Sequence, residues 1–291
     1  MKFAYLILAH GSFGLFKELL KVLDSPDNDI YVHIDQKVGD MDYSPFLQIV
    51  KHSRLVFITN RVDVVWGNVS IVEATLNLLA EAIKGEYDYY HLLSGVDFPI
   101  KSQSYIQSFF KAHAGKEFVG FSKALTSRDM AYRTRYHLIK GRVYNLPRII
   151  RLLNGLFLRL QLLLHISSVS AAQNVKGGAE WFSITHALAK DLVSQTAIIL
   201  KRYKYSLIPD EMFLQTYISE HHNMDKVLNA DDEFASCCRD IDWQRGQPYV
   251  WQEDDYDELV ESKYLWARKF SEDNMDLIRR ITKYISEQKY V

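Results

Sequence analysis

The chain has 291 residues, 48% of them apolar, enough to bury a large core in one sizeable domain or two closely packed ones. A formal net charge of −1 supplies no global basic field, so nucleic acid is not an expected partner. The only two cysteines, Cys237 and Cys238, are adjacent; they exclude a disulfide framework and a four-cysteine metal site, and suit a reducing compartment.

Phe3–Ala9 is a short apolar run preceded by one cation, Lys2, and followed by no small-residue cleavage site. It reads as a first buried strand rather than a signal peptide. No run of 18 purely apolar residues occurs, so no transmembrane helix is expected. A turn at His10–Gly14 leads to a helix over 16–22, with Leu15, Leu19, Leu20 and Val22 at amphipathic spacing. Strands are expected at Asp29–Asp35, Arg54–Thr59 and Asp88–Ser94, and a helix at Ser70–Ile83. A turn follows at Gly95–Lys101.

Strands alternating with helices predict an α/β protein built on a doubly wound sheet. In such sheets ligands gather beyond the carboxyl ends of the strands. Three polar groups fall there: His10, Asp35, and Ser94 with Asp97. An acid after a strand is also an ordinary turn residue or helix cap, so their convergence carries more than any one of them. No Gly-x-Gly-x-x-Gly fingerprint follows the first strand and no Gly-Lys-Ser/Thr loop is present, which argues against a dehydrogenase or a P-loop enzyme.

Beyond residue 116 the character changes. Glu117–Phe121 reads as a further strand, and Arg128–Arg142 is rich in cations. Residues 147–165 are strongly amphipathic: Ile149, Ile150, Leu152, Leu153, Leu156, Phe157, Leu160, Leu163 and Leu164 share one wide arc, and Arg148, Arg151, Arg159, Asn154, Gln161 and His165 the other. The ordinary expectation is a surface helix with its apolar arc packed inward. Leu158 and Leu162, on the polar side, keep open a basic helix lying on an anionic bilayer or a partner. Lys176–Thr185 is a glycine turn entering a strand, His186–Leu200 a helix, and Asn274–Tyr290 an amphipathic helix. His221-His222 reads as a helix end. With no repeat or linker, one domain is favoured.

Pro209-Asp210-Glu211 admits two readings. Proline in a first turn followed by acids describes a helix start matched to its dipole, with Asp210 the better candidate for the cap. The same geometry also projects Glu211 into a cleft as a general base. Arg268-Lys269, taken alone, is a solvated basic pair before the last helix. Asp-x-Asp spacing occurs at Asp240–Asp242 and Asp255–Asp257, but neither ends an early buried strand, so no metal site is expected.

Several stretches, in this order, resemble the core-2/I-branching enzyme family of glycosyltransferases, which includes β-1,6-N-acetylglucosaminyltransferases and peptide O-xylosyltransferases. The matching pieces are Ala4–His10, Val32–Asp35, Val65-Trp66-Gly67, Leu92–Lys101, Gly178–Phe182, Pro209–Glu211, Asp242-Trp243 and Ala267–Phe270. They run across nearly the whole chain; Asp-Phe-Pro-Ile-Lys and Ala-Arg-Lys-Phe are the more specific.

The resemblance implies a GT-A-like, Rossmann-type sheet with flanking helices, a UDP-sugar donor, and inversion at the anomeric carbon. It implies residues 1–115 as a nucleotide-binding half and 116–291 as an acceptor-binding and catalytic half. Glu211 matches the catalytic base, Arg268 and Lys269 the basic pair on the diphosphate, and Ala9, His10 and Asp35 positions lining the nucleotide. Ser94 and Asp97 flank the active site, and Glu180 and Trp181 match an acceptor-side element. Arg133 and Arg135 resemble a basic acceptor-binding segment, and Trp243 belongs to the same cleft. Arg245 stands where some branching enzymes carry a stacking aromatic, so their acceptor specificity does not transfer. The stretch His33–Lys37 has one acid where many such enzymes hold a metal with two. The resemblance therefore points to metal-free catalysis, with no cofactor. N-acetylglucosamine is the favoured sugar; xylose transfer and an inactive sugar-binding protein are the alternatives. Family members in the Golgi have an anchor, stem and disulfides, and this chain shows none. The expectation is a compact, cytoplasmic, bacterial-type enzyme of surface-polysaccharide synthesis. Its acceptor would be a glycan or lipid-linked glycan, with 147–165 as its contact with the inner membrane face.

Overall fold

The computed structural model describes residues 1–136, 147–164, 166, 175–221 and 224–288. Of the stretches singled out above, 137–142 in the cation-rich segment, His165, His222 and Tyr290 lie outside these residues.

In chain order the first elements are β1 (Phe3–Ala9), α1 (Phe13–Leu23), β2 (Asn28–Ile34), α2 (Ser44–Leu47), β3 (Arg54–Phe57), α3 (Val69–Ala82), β4 (Tyr89–Ser94), β5 (Phe98–Pro99) and α4 (Gln103–Ala112). Then come β6 (Phe118–Val119), α5 (Ser127–Arg133), α6 (Arg148–Leu163), β7 (Phe182–Thr185), α7 (His186–Ser194) and α8 (Thr196–Tyr203). After a 3-10 turn at Pro209–Glu211 follow α9 (Phe213–His221), α10 (Glu233–Cys237), β8 (Arg239–Ile241), α11 (Tyr256–Glu261), β9 (Trp266–Arg268) and α12 (Met275–Glu287).

Among the described residues the main sheet has six strands in the order β3-β2-β1-β4-β7-β6. β3, β2, β1 and β4 pair in parallel, with Phe3 opposite both Asn28 and Tyr89; β7 runs antiparallel to β4 and to β6. This is the expected α/β architecture with a Rossmann-type sheet, and it continues without interruption into the second half of the chain. Side chains of a strand alternate between faces. On β1, Ala4 and Leu6 join the layer with α3, α7 and α9, whereas Phe3, Tyr5, Ile7 and Ala9 join the layer with α1, α4 and α12. Burial on both faces explains why β1 reads as an unbroken apolar run.

Two details differ from the pattern read in the sequence. The helix expected over 186–200 breaks at Gln195, because Ser194 Oγ and Thr196 Oγ1 donate back to the carbonyls of Asp191 (2.7 Å) and Val193 (2.8 Å). A second, three-stranded sheet, β5-β9-β8, is built from stretches that gave no strand signal. β9 pairs antiparallel with β5 and parallel with β8, placing Arg268 opposite Ile241. Arg239 ties this sheet to the main one. Its buried guanidinium donates to the carbonyls of Leu92 (3.2 Å) and Phe182 (3.0 Å) and lies 4.1 Å over the Trp266 ring.

Candidate active site

The strands β1, β2 and β4 end on one edge of the sheet, and beyond that edge lies a cavity of about 480 Å³. Its wall includes Ala9 and His10 from the end of β1, Asp35 from the end of β2, and Ser94 from β4. The strand ends are pinned together, since Asp35 N donates to Ala9 O at 2.9 Å. The Asp35 carboxylate accepts from Lys37 N at 2.8 Å and lies 3.2 Å from Lys37 Nζ, which also pairs with Asp63 at 2.9 Å. His33 is buried and its Nε2 accepts from Val62 N at 2.9 Å. Burial lowers its pKa to about 4, so it is a neutral prop for the loop rather than a cation at neutral pH.

Arg268 reaches the cavity from the second sheet, which is held against the first partly by Phe270 N donating to Val96 O (3.0 Å). Its Nη1 donates to Ser94 Oγ at 2.6 Å and to Asp97 Oδ1 at 2.7 Å. Ser94 in turn donates through N and Oγ to the two oxygens of Asp97, at 2.7 and 2.8 Å. Asp97 is buried, so the pair is desolvated and geometrically fixed. The guanidinium also lies 4.4 Å over the ring of Trp181, another cavity wall.

Glu211 sits on a turn hung from the cavity rim. Ile208 is left-handed (φ 52°), and its N donates at 3.0 Å to the carbonyl of Gly67, whose neighbour Trp66 lines the cavity. Glu211 O accepts from Gly178 N at 3.0 Å. A Cβ on Gly178 would fall 2.0 Å from Gly120 O, so only glycine allows this approach. The Glu211 carboxylate receives Arg133 Nη1 at 2.7 Å, from the end of α5.

Asp210 is not the cap that the sequence suggested. Ile208 occupies the N-cap position with no side-chain cap bond, and Asp210 turns inward, its Oδ1 buried without a partner among the described residues. Burial, then the neighbouring Glu211, push its pKa up to about 7. Glu180, in the cavity wall, also has a buried oxygen, Oε1, without such a partner. Desolvation, with Asp210 next, holds its carboxyl well above the usual range. Glu180 thus links the cavity electrostatically to the Glu211 turn.

Of the residues expected from the sequence, the cavity wall contains Ala9, His10, Asp35, Ser94, Glu180, Trp181 and Arg268. Asp97 stands behind Arg268, and Glu211 with Arg133 forms the adjoining turn. Others are not brought into this wall. Lys269 follows Arg268 with its carbonyl accepting from Trp251 N (3.0 Å), and Arg135 donates to Ile166 O (3.2 Å). Trp243 is an exposed loop residue. Arg245 is taken up by Asp242, by Asp255 at 2.7 Å and by Glu258 at 2.9 Å, and lies 4.4 Å over Tyr249. The wall also holds seven residues not among them, of which His33, Lys37 and the half-exposed Trp66 carry a charged, polar or aromatic group. Their signal was position, at the end of β2 and inside the Val65-Trp66-Gly67 match.

The family model described as Core-2/I-Branching enzyme matches residues 3–263. The chain is 23% identical over 295 residues to Xylosyltransferase oxt of Drosophila pseudoobscura pseudoobscura, covering 93% of this chain and 32% of that protein. It is 30% identical over 116 residues to the human N-acetyllactosaminide beta-1,6-N-acetylglucosaminyl-transferase, covering 39% of this chain and 29% of the relative. The chain thus spans about a third of the length of these relatives. Apo mouse xyloside xylosyltransferase 1 aligns over 92% of this chain and 97% of its own, at 9% identity and a TM-score of 0.38.

Proposed function

The chain belongs to the core-2/I-branching enzyme family, and from that premise we propose that it transfers a sugar from a UDP-sugar to a hydroxyl of a glycan acceptor, with inversion and without a metal. One observation carries the reading. A cavity at the carboxyl ends of the parallel strands is bordered by a fixed guanidinium, Arg268, and adjoined by a carboxylate on a rigid turn, Glu211.

The chemistry follows from those two groups. As the acceptor oxygen bonds to the anomeric carbon, Glu211 takes its proton. The bond from that carbon to the diphosphate oxygen breaks, and the leaving group gains charge. Arg268 spends Nη1 on Ser94 and Asp97 and presents its remaining N–H groups to the phosphates, with Lys269 as a second cation. The turn after β1, Ala9-His10, and Asp35 hold the nucleoside. Metal-free transfer is supported by Asp35, the one acid of the His33–Lys37 stretch, whose carboxylate is engaged by Lys37. Glu180 and Trp181 face the sugar. Arg133 orients the Glu211 carboxylate until the acceptor arrives. N-acetylglucosamine is the favoured sugar; xylose is the second reading, supported by relatives that match 93% of this chain.

The test is a transfer and hydrolysis assay with UDP-N-acetylglucosamine and UDP-xylose, with and without EDTA. Activity should survive chelation; its loss would remove the metal-free reading. Glu211→Gln should lower turnover by about 10²–10⁴-fold while UDP binding persists. Unchanged turnover would reject Glu211 as the base, and UDP binding without turnover in the unmutated protein would make it a binding protein.

A further inference from the structure

The apolar arc of α6 does not pack inward. The residues this helix buries are Asn154, Leu158 and Gln161, whereas Ile149 is 68% exposed, Leu152 63%, Leu156 52%, Leu160 52% and Leu163 77%. At about 100° per residue these five lie on one strip, opposite the buried side. Arg148 and Arg159 follow along one edge of the strip, with Arg151 beyond them, and the helix contains no acid. A contiguous exposed apolar face is a site of interaction rather than ordinary surface.

The buried face explains the orientation. Gln161 donates from Nε2 to Tyr136 O and accepts at Oε1 from Tyr136 N, both at 2.8 Å. An amide matched twice to one backbone position fixes the helix more firmly than leucines in a flat groove would. It also places α6 beside the end of α5, whose Arg133 holds Glu211.

We propose that the outer face of α6 is a docking surface for an anionic lipid bilayer, with the leucines entering the acyl boundary and the arginines meeting the headgroups. The charge pattern selects this occupant. A row of arginines with no acid complements an anionic plane, whereas a second copy paired antiparallel across this face would set the two arginine rows side by side. The inference stands independently of the sugar chemistry proposed above. Where that chemistry also holds, the helix docked on the membrane is the one beside the α5 end whose Arg133 holds Glu211.

Flotation of the full chain with phosphatidylcholine vesicles, with or without phosphatidylglycerol, tests it. Binding should require phosphatidylglycerol and weaken as salt screens the charges. Replacing Arg148, Arg151 and Arg159 by glutamine should weaken partition roughly a hundredfold. Leu152→Ser with Leu156→Ser and Leu160→Ser should abolish it while circular dichroism and melting temperature stay unchanged. If that variant melts early, Leu163→Ser, at the most exposed position, should still weaken binding. The proposal is overturned if the unmutated chain stays with the unbound fraction or if binding survives the leucine changes. It is overturned equally if light scattering finds a dimer that the leucine variant dissolves while vesicles recruit nothing.

Discussion

Arg268 is asked to do two things with one guanidinium. It neutralises the buried Asp97, and it faces the cavity. Arg268→Ala therefore has two consequences that can be separated. It leaves a carboxylate buried and unpaired, which should cost about 3–5 kcal/mol in denaturant unfolding. It should also weaken UDP binding about 10- to 100-fold, the loss of a charge-assisted contact. In Asp97→Asn with Arg268→Ala the stability should largely return and the UDP affinity should not. A double variant that recovers both would reduce Arg268 to a structural residue.

Asp210 offers a test of sign. Its folded pKa stands at about 7 against an ordinary 3.8. Between those values the folded chain holds a proton that the unfolded chain has lost. The associated stability is present below about pH 4 and is lost as pH rises through 7. Asp210→Asn has no charge to bury. Its melting temperature relative to the unmutated chain should rise from pH 4 to about pH 7 and then level off. A difference that is flat with pH would show that Asp210 is solvated in the folded state.

At the scale of elements, α5 matters because its last residue positions Glu211. The helix starts in a reciprocal cap: Thr126 Oγ1 accepts from Asp129 N at 3.2 Å, and Asp129 Oδ2 accepts from Thr126 N at 2.9 Å. Thr126→Ala should cost about 1 kcal/mol. Amide exchange over Ser127–Arg133 should quicken, and turnover should fall more than UDP affinity, because Arg133 loses its fixed base. Exchange spread evenly over the chain would argue against a local cap.

For the whole molecule, the important join is between the two sheets. Arg239 bridges them with a buried cation that meets carbonyls and an indole face among the described residues. Burial lowers its pKa; its Nη groups are met by carbonyl oxygens and the indole face, while Nε is buried without a partner among the described residues. Arg239→Ala would strand those carbonyls and open a void. A loss of about 3 kcal/mol or more in unfolding free energy is expected, with Arg268 displaced and UDP affinity reduced. Full stability in the variant would show that the sheets hold together by apolar packing alone.

Local order was written in local sequence. β1, β2, β4, α3 and α12 carry their periodicity in consecutive residues, so they were legible before any coordinates, as were the polar groups at the strand ends. The family follows from ordered motifs that need no geometry. What could not be read was which face meets which. The strands of the second sheet are two or three residues long, too short for a period to show, and pair residues far apart in the chain. The Pro209–Glu211 turn looked like a capped helix, but backbone bonds from Ile208 to Gly67 and from Gly178 to Glu211 hold a turn in which Asp210 faces inward. In α6 the periodicity correctly marked an apolar arc, yet hydrophobicity alone does not say whether such an arc meets the core or leaves it. A double amide bond to Tyr136, contributed from outside the helix, decided that. By itself the sequence determined the main-sheet strands and the longer helices, the family and the identity of the acids and cations. The tertiary structure decided the pairing of Arg268 with Asp97 and of Arg133 with Glu211, because ion pairs and buried faces depend on distances between segments that no local pattern encodes.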